Sequence, residues 1–190
     1  MIMKTNLKDY IFKIPSFIDA SICDKTVGEM NNITFEEHTF YNPETKQYAP
    51  RSGSQELSMS WENVSTSDLI GKKLWHAIKA YQDNYDFPWF SSWQGYTKLR
   101  FNKYAENKRM ALHADHIHSM FDGNRKGIPV LSVLGTLNDN YTGGDFVMFK
   151  DEKINLKQGD LIIFPSLFLF PHKVEPVTRG TRYSYISWVW

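Results

Sequence analysis

Apolar positions fall into two regimes along this chain, with helical spacing before Pro88 and mostly two-residue alternation after it. In the first regime Leu69, Ile70, Leu74, Ala77, Ile78 and Tyr81 recur at helical spacing behind the polar start Ser65-Thr66-Ser67-Asp68. That pattern predicts a supporting helix to about Asn84. A shorter helix, capped by Asp19 or Ser21, is expected to run to about Met30. Tyr10 to Phe17 alternates loosely and suits a first strand. Residues 41–55 carry Asn42-Pro43, Ala49-Pro50 and Ser52-Gly53-Ser54, which predict a polar loop able to cover a pocket.

The second regime is a series of short strand-like runs: Gly95–Tyr104, Arg109–His116, Pro129–Leu137, Asp145–Phe149, Leu161–Phe164 and Thr181–Trp190. Turn signals separate them, among them Asp122-Gly123-Asn124, Thr142-Gly143-Gly144 and Lys157-Gln158-Gly159-Asp160. Many short strands after two helices predict a mostly β architecture, an antiparallel double-sheet jelly roll buttressed by N-terminal helices. The expected organisation is one domain over residues 1–190, with a helical and strand flank at 1–88 and a core at 89–190.

Composition narrows the function classes. The net charge is +1, too little basic field to hold a nucleic-acid backbone. The single cysteine, Cys23, excludes an internal disulfide and a Cys-rich zinc site, and it fits a reducing compartment. The greasiest stretch, Leu161 to Phe170, is interrupted by Pro165 and Ser166 and falls short of the ~20 residues that span a bilayer. The N-terminal residues have no apolar signal core, so a cytoplasmic protein without a membrane partner is expected. Aromatic residues make up 15% of the chain, which suits strand packing before it suits pockets.

The candidate chemistry begins at Leu112-His113-Ala114-Asp115. On a strand, residues i and i+2 share a face, so His113 and Asp115 would project together. His172, after Phe164-Pro165-Ser166, is the best third ligand. Two histidines and one carboxylate leave open positions on a metal, the facial triad of non-haem iron(II) oxygenases. Arg182 follows His172 by ten residues, an even spacing that can keep both side chains facing the interior of an extended run. Its planar fork suits two-point binding of a carboxylate. His76, alone on a helix, reads as structural.

Several motifs run in order: Tyr104 nine residues before His113-Ala-Asp115; Leu137-Asn138-Asp139-Asn140-Tyr141-Thr142-Gly143-Gly144-Asp145-Phe146; Gln158-Gly159-Asp160-Leu161-Ile162-Ile163-Phe164-Pro165; His172-Lys-Val-Glu-Pro-Val; and Gly180-Thr-Arg182-Tyr183-Ser184, ending in Trp188. The opening Ile14-Pro15-Ser16-Phe17-Ile18-Asp19 fits the same set. In this order the chain resembles the prolyl 4-hydroxylase-like branch of the 2-oxoglutarate/iron(II) dioxygenases. The resemblance implies that His113, Asp115 and His172 hold Fe(II) and that Arg182 binds the distal carboxylate of 2-oxoglutarate. Tyr104 and a hydroxyl of Ser132 or Thr136 are candidates to assist it. It implies hydroxylation of a C–H bond, with O2 consumed and succinate and CO2 released, and leaves room for ascorbate. Trp188 and, from the 41–55 loop, Arg51 are candidate substrate-groove residues, and His118 is a further one. His116 should face away from Asp115. Asp115 favours hydroxylation over halogenation, because the halogenases of this superfamily lack that carboxylate.

The stretch before the H-x-D, Ala105 to Leu112, lacks the glycine and aromatic residues frequent in collagen-type relatives. Peptidyl proline therefore stands beside a free amino acid as the expected substrate. A nucleic-acid demethylase of the alkylation-repair type would carry a second arginine six residues after the first, where this chain has Trp188. A non-catalytic jelly-roll metal-binding module is the rival from outside enzymology, and it gives no reason for Arg182.

Overall fold

The computed structural model describes residues 4–42, 44–50, 55–86, 95–115 and 127–190. Arg51, His116, His118 and the turn Asp122-Gly123-Asn124 lie outside the described residues. A 3-10 turn at Leu7–Tyr10 leads into β1 (Phe12–Ile14) and helix α1 (Ala20–Met30). Then come β2 (Glu36–Glu37), β3 (Phe40–Asn42), β4 (Gln47–Ala49), β5 (Ser58–Ser60) and helix α2 (Ser67–Tyr85). The remaining strands are β6 (Arg100–Tyr104), β7 (Met110–His113), β8 (Leu131–Thr136), β9 (Thr142–Gly143), β10 (Phe146–Met148), β11 (Glu152–Ile154), β12 (Leu161–Pro165), β13 (His172–Val174), β14 (Val177–Arg179) and β15 (Arg182–Val189).

A major sheet runs in the order β1-β12-β8-β15-β6-β5-β2, and a minor sheet in the order β11-β10-β13-β7. Their strand pairings are antiparallel. Alternation along the major strands divides the interior in two. Phe101, Leu131, Val133, Leu161, Ile163, Tyr185 and Val189 pack with Ile70, Leu74, Ile78 and Tyr81 of α2. The opposite face sends Tyr104, Leu134, Ile162 and Phe164 against Met110, Phe146, Met148 and Val174 of the minor sheet. This is the two-sheet jelly roll with supporting helices that the alternation anticipates.

Three local features differ from the sequence expectation. Residues 41–55 are not simply loop: β3 and β4 pair as a hairpin, turning through Lys46 at φ 54°. Leu69 is 42% exposed, because it precedes Ile70 by one position and so lies about 100° away around α2. Asp19 sits at the α1 N-cap position but makes no side-chain cap; its backbone carbonyl receives the first amides instead. Gly135, mid-strand in β8, is required by close approach, since a Cβ there would lie 2.1 Å from the Tyr185 ring. No helix among the described residues is long and apolar enough to cross a membrane.

Candidate metal and co-substrate site

β7 and β13 pair with His113 directly opposite His172, and their ring centroids are 4.4 Å apart. β7 ends at His113, and the chain then carries Asp115 inward, so the shared face continues two residues past the strand. Oδ1 of Asp115 lies 3.4 Å from Nε2 of His113 and 3.6 Å from Nε2 of His172. One donor atom from each of the three lies within 4.8 Å of the others. Cis ligands on a metal at bond lengths of ~2.1 Å stand roughly 3 Å apart, so a modest contraction would bring all three to coordinating distance.

The imidazoles are oriented by the main chain. Nδ1 of His113 is 2.8 Å from the Ala111 carbonyl, and Nδ1 of His172 is 3.1 Å from the Phe170 carbonyl. A carbonyl only accepts, so each Nδ1 carries the proton and each Nε2 presents a lone pair to the shared centre, the tautomer a metal ligand needs. Phe146 and Phe164 wall His172 at centroid distances of 5.5 and 5.0 Å. Burial pushes the His172 pKa down to about 4, against the attraction of Asp115. Burial also acts to lower His113, but that ring is more exposed and the Asp115 carboxylate beside it raises it instead. Burial would raise the Asp115 carboxyl, yet the two imidazoles and a hydroxyl outweigh it and hold it below the usual carboxylate range. Three electron-rich groups thus face one point, which suits a divalent cation.

That hydroxyl belongs to Ser132. Its Oγ donates to Oδ2 of Asp115 at 2.5 Å, and Ser166 Oγ lies 2.6 Å from it. With its proton given to the carboxylate, Ser132 accepts from Ser166. Ser132 was expected as a candidate for the co-substrate carboxylate; it serves the metal side of the site because β8 places it two rows from Leu134 and four from Thr136.

At the other end of the site stands Arg182, 1% exposed. Its Cζ lies 4.9 Å from the centroid of the Tyr104 ring, its direct cross-strand neighbour, and one terminal nitrogen donates to Ser184 Oγ at 3.1 Å. Among the described residues no carboxylate pairs with it, and its Nε has no hydrogen-bond acceptor. Thr136 Oγ1, buried on the strand position opposite Ser184, is likewise unpartnered among them. A buried guanidinium left so costs several kcal/mol unless an anion arrives. Arg182 borders a cavity of about 90 Å³ that Tyr141, Gly144, Phe146, Ile154 and Leu156 also line. Phe146 borders this cavity and also packs against His172.

The even spacing from His172 to Arg182 is not the reason both face inward. The chain between them is broken into β13, β14 and a bend at Gly180, φ 83°. Asn138 sets the re-entry: its Oδ1 accepts from the Tyr183 amide at 2.7 Å and its Nδ2 donates to the Thr181 carbonyl at 2.8 Å. Gly144 leaves room beside the arginine, since a Cβ there would meet the Arg182 stem at 3.2 Å.

Trp188 is 3% exposed, tilted against Trp61 at 6.1 Å and under Arg100, whose Cζ is 4.9 Å from its ring centroid. Sequence reasoning passed over Ser166, Asn138 and Arg100. Only Asn138 carried a signal, its place in the quoted Leu137-Asn138-Asp139 run. His76 is exposed, away from any cluster of possible ligands among the described residues.

Fold and site together define a class: a jelly-roll protein with a two-histidine, one-carboxylate cluster and a buried arginine near it. Residues 99–190 match the model of the 2OG-Fe(II) oxygenase superfamily, a span that holds all four of those residues, and the chain resembles the prolyl 4-hydroxylase-like oxygenases as its motifs predict. A PKHD-type hydroxylase of Xylella fastidiosa is 36% identical over 107 residues, covering 47% of this chain and 43% of the relative. One from Aliarcobacter butzleri is 35% identical over 96 residues, covering 47% and 41%. The chain thus spans under half the length of these curated relatives in the match. Among solved structures, a viral collagen prolyl hydroxylase of Paramecium Bursaria Chlorella virus-1 aligns over 95% of this chain and 94% of its own, with a TM-score of 0.64 and 15% identity. A prolyl hydroxylase from Trichoplax adhaerens aligns over 95% and 83%, with a TM-score of 0.68 and 19% identity. These likenesses establish the shared fold.

Proposed function

We propose that the protein is a 2-oxoglutarate- and Fe(II)-dependent hydroxylase of an unactivated C–H bond. The observation that carries this is the pairing of a convergent His113, Asp115 and His172 with a buried Arg182 that has no protein anion among the described residues. His113, Asp115 and His172 would hold the iron. Arg182 would take the distal carboxylate of 2-oxoglutarate, with Tyr104 stacked on the guanidinium and the free Thr136 hydroxyl close to hand. Bound iron supplies O2 activation coupled to decarboxylation of 2-oxoglutarate, with succinate and CO2 released as one oxygen atom passes to the substrate. The chain's own part is to hold the imidazole tautomers, keep Asp115 ionised and exclude water around His172.

The relatives are hydroxylases, and the solved neighbours are prolyl hydroxylases, which supports a prolyl residue as one substrate class. A free amino acid is the second, and Arg100 favours it, as argued below. The protein loaded with Fe(II) and 2-oxoglutarate should form succinate slowly without added substrate. A preparation that retains no iron, binds no 2-oxoglutarate and makes no succinate would instead fit a binding module.

A further inference from the structure

β6 presents Arg100, Asn102 and Tyr104 to the same face of the major sheet. Tyr104 lies against Arg182, so Arg100 stands four residues away from that contact, roughly 13 Å along the strand. The site therefore has two guanidinium groups, one at each end.

The second is held in place. Its Nε donates to Asn102 Oδ1 at 3.1 Å, and its plane lies over the Trp188 ring at 4.9 Å. Trp188 pairs in register with Ser132, the residue that grips Asp115. Arg100 is thus linked to the metal carboxylate through Trp188 and Ser132, at the end of β6 opposite the Tyr104–Arg182 contact. No carboxylate among the described residues forms an ion pair with it, and both terminal amino groups are left to donate. A half-buried arginine with its orientation fixed and its terminal nitrogens open to an acceptor suits a carboxylate.

We propose that Arg100 binds a carboxylate of the substrate and so places the C–H bond to be oxidised beside the His113–Asp115–His172 cluster, between the two arginines. This rests on the hydroxylase reading above. A free amino acid supplies such a carboxylate, and so does the C-terminus of a short peptide. Trp188 acts here as the platform that aims the guanidinium, which accounts for a buried tryptophan whose Nε1 has no partner among the described residues.

The test uses the Fe(II)- and 2-oxoglutarate-loaded protein with four probe pools: the free L-amino acids, the same amino acids as primary amides, and proline-containing tripeptides with free or amidated C-termini. The readouts are a +16 Da product and its ratio to succinate. The acid form of at least one pool should be hydroxylated on the order of 10- to 100-fold more efficiently in kcat/KM than its amide, the range expected for one charge-assisted pair. Which pool shows the difference identifies the source of the carboxylate. Arg100→Gln should erase the acid-over-amide preference by raising KM for the acid, and Arg100→Lys should restore part of it. Equal use of acids and amides by the wild type, or a preference that survives Arg100→Gln, would overturn the inference. Succinate formation by the wild type without substrate reports separately on the hydroxylase reading. A second readout does not need turnover. In the Mn(II)- and 2-oxoglutarate-loaded protein, N-acetylglycine should change tryptophan fluorescence saturably, and N-acetylglycinamide should not. An equal response to both, or the same N-acetylglycine response in Arg100→Gln, counts against Arg100.

Discussion

Ser132 Oγ gives its proton to Asp115 Oδ2, so the carboxylate reaches the centre with one oxygen already tied to β8, an interior strand of the major sheet, and only Oδ1 facing the two imidazoles. Outer partners of metal ligands typically contribute 10–100-fold in affinity. Ser132→Ala should therefore weaken Fe(II) binding by about that factor while the fold persists, because alanine fills the same buried position without a clash. Metal titration beside a circular-dichroism melt checks it; unchanged affinity would mean Asp115 needs no such tether.

Asp115→Ala and Arg182→Ala should separate the two halves of the site. The first removes the only anionic ligand of the three and should abolish stable Fe(II) binding. The second should cost 2-oxoglutarate affinity by about 1.5–3 kcal/mol or more, the range for a charged hydrogen-bonded group, with little change in iron. Equal losses of both ligands in Arg182→Ala would point to misfolding, which a thermal melt would show.

Cys23 is 0% exposed, and burial pushes its pKa up to about 11, with Asp24 and Asp19 adding to the shift. Since the thiolate is the reactive species, the native protein should resist thiol reagents at pH 8 and react fully in denaturant. The linked stability has a definite sign. A pKa raised from 9.0 to about 11 contributes stability that is whole below pH 9 and lost as pH climbs towards 11. Cys23→Ser should flatten that alkaline decline in a pH series of melts.

Gly135→Ala should be severe for a single methyl group, because the added carbon would lie 2.1 Å from the Tyr185 ring in a packed strand pair. Overpacking of this kind costs about 1–3 kcal/mol or more. Gly135→Ala combined with Tyr185→Leu should recover part of the loss, measured as denaturation midpoints.

Periodicity made the large elements legible. Ile70, Leu74, Ala77, Ile78 and Tyr81 marked the buried side of α2, and the runs around Arg100, Leu131, Leu161 and Arg182 marked the long strands of the major sheet. β9, β11 and β14 escaped notice, because at two or three residues each they are too short to display an alternation and exist through their partners. The four central site residues were legible for a different reason, the ordered motifs around them. Ser166 and Arg100 were not, since a serine after a proline or an arginine in a strand has no local signature. Their meaning comes from what lies across the sheet.

β8 carries six consecutive buried residues with a hydrogen-bonded neighbour on each side, β12 and β15. From that one strand Ser132 reaches the metal carboxylate, and Thr136, four positions along, lies beside the arginine end. A central strand clamped on both edges is among the last parts of a protein to breathe. It therefore works as a gauge bar, fixing the gap between the His113–Asp115–His172 cluster and Arg182 whatever the surrounding loops do. Substitutions around the mouth of the pocket can then alter what enters it without altering that gap.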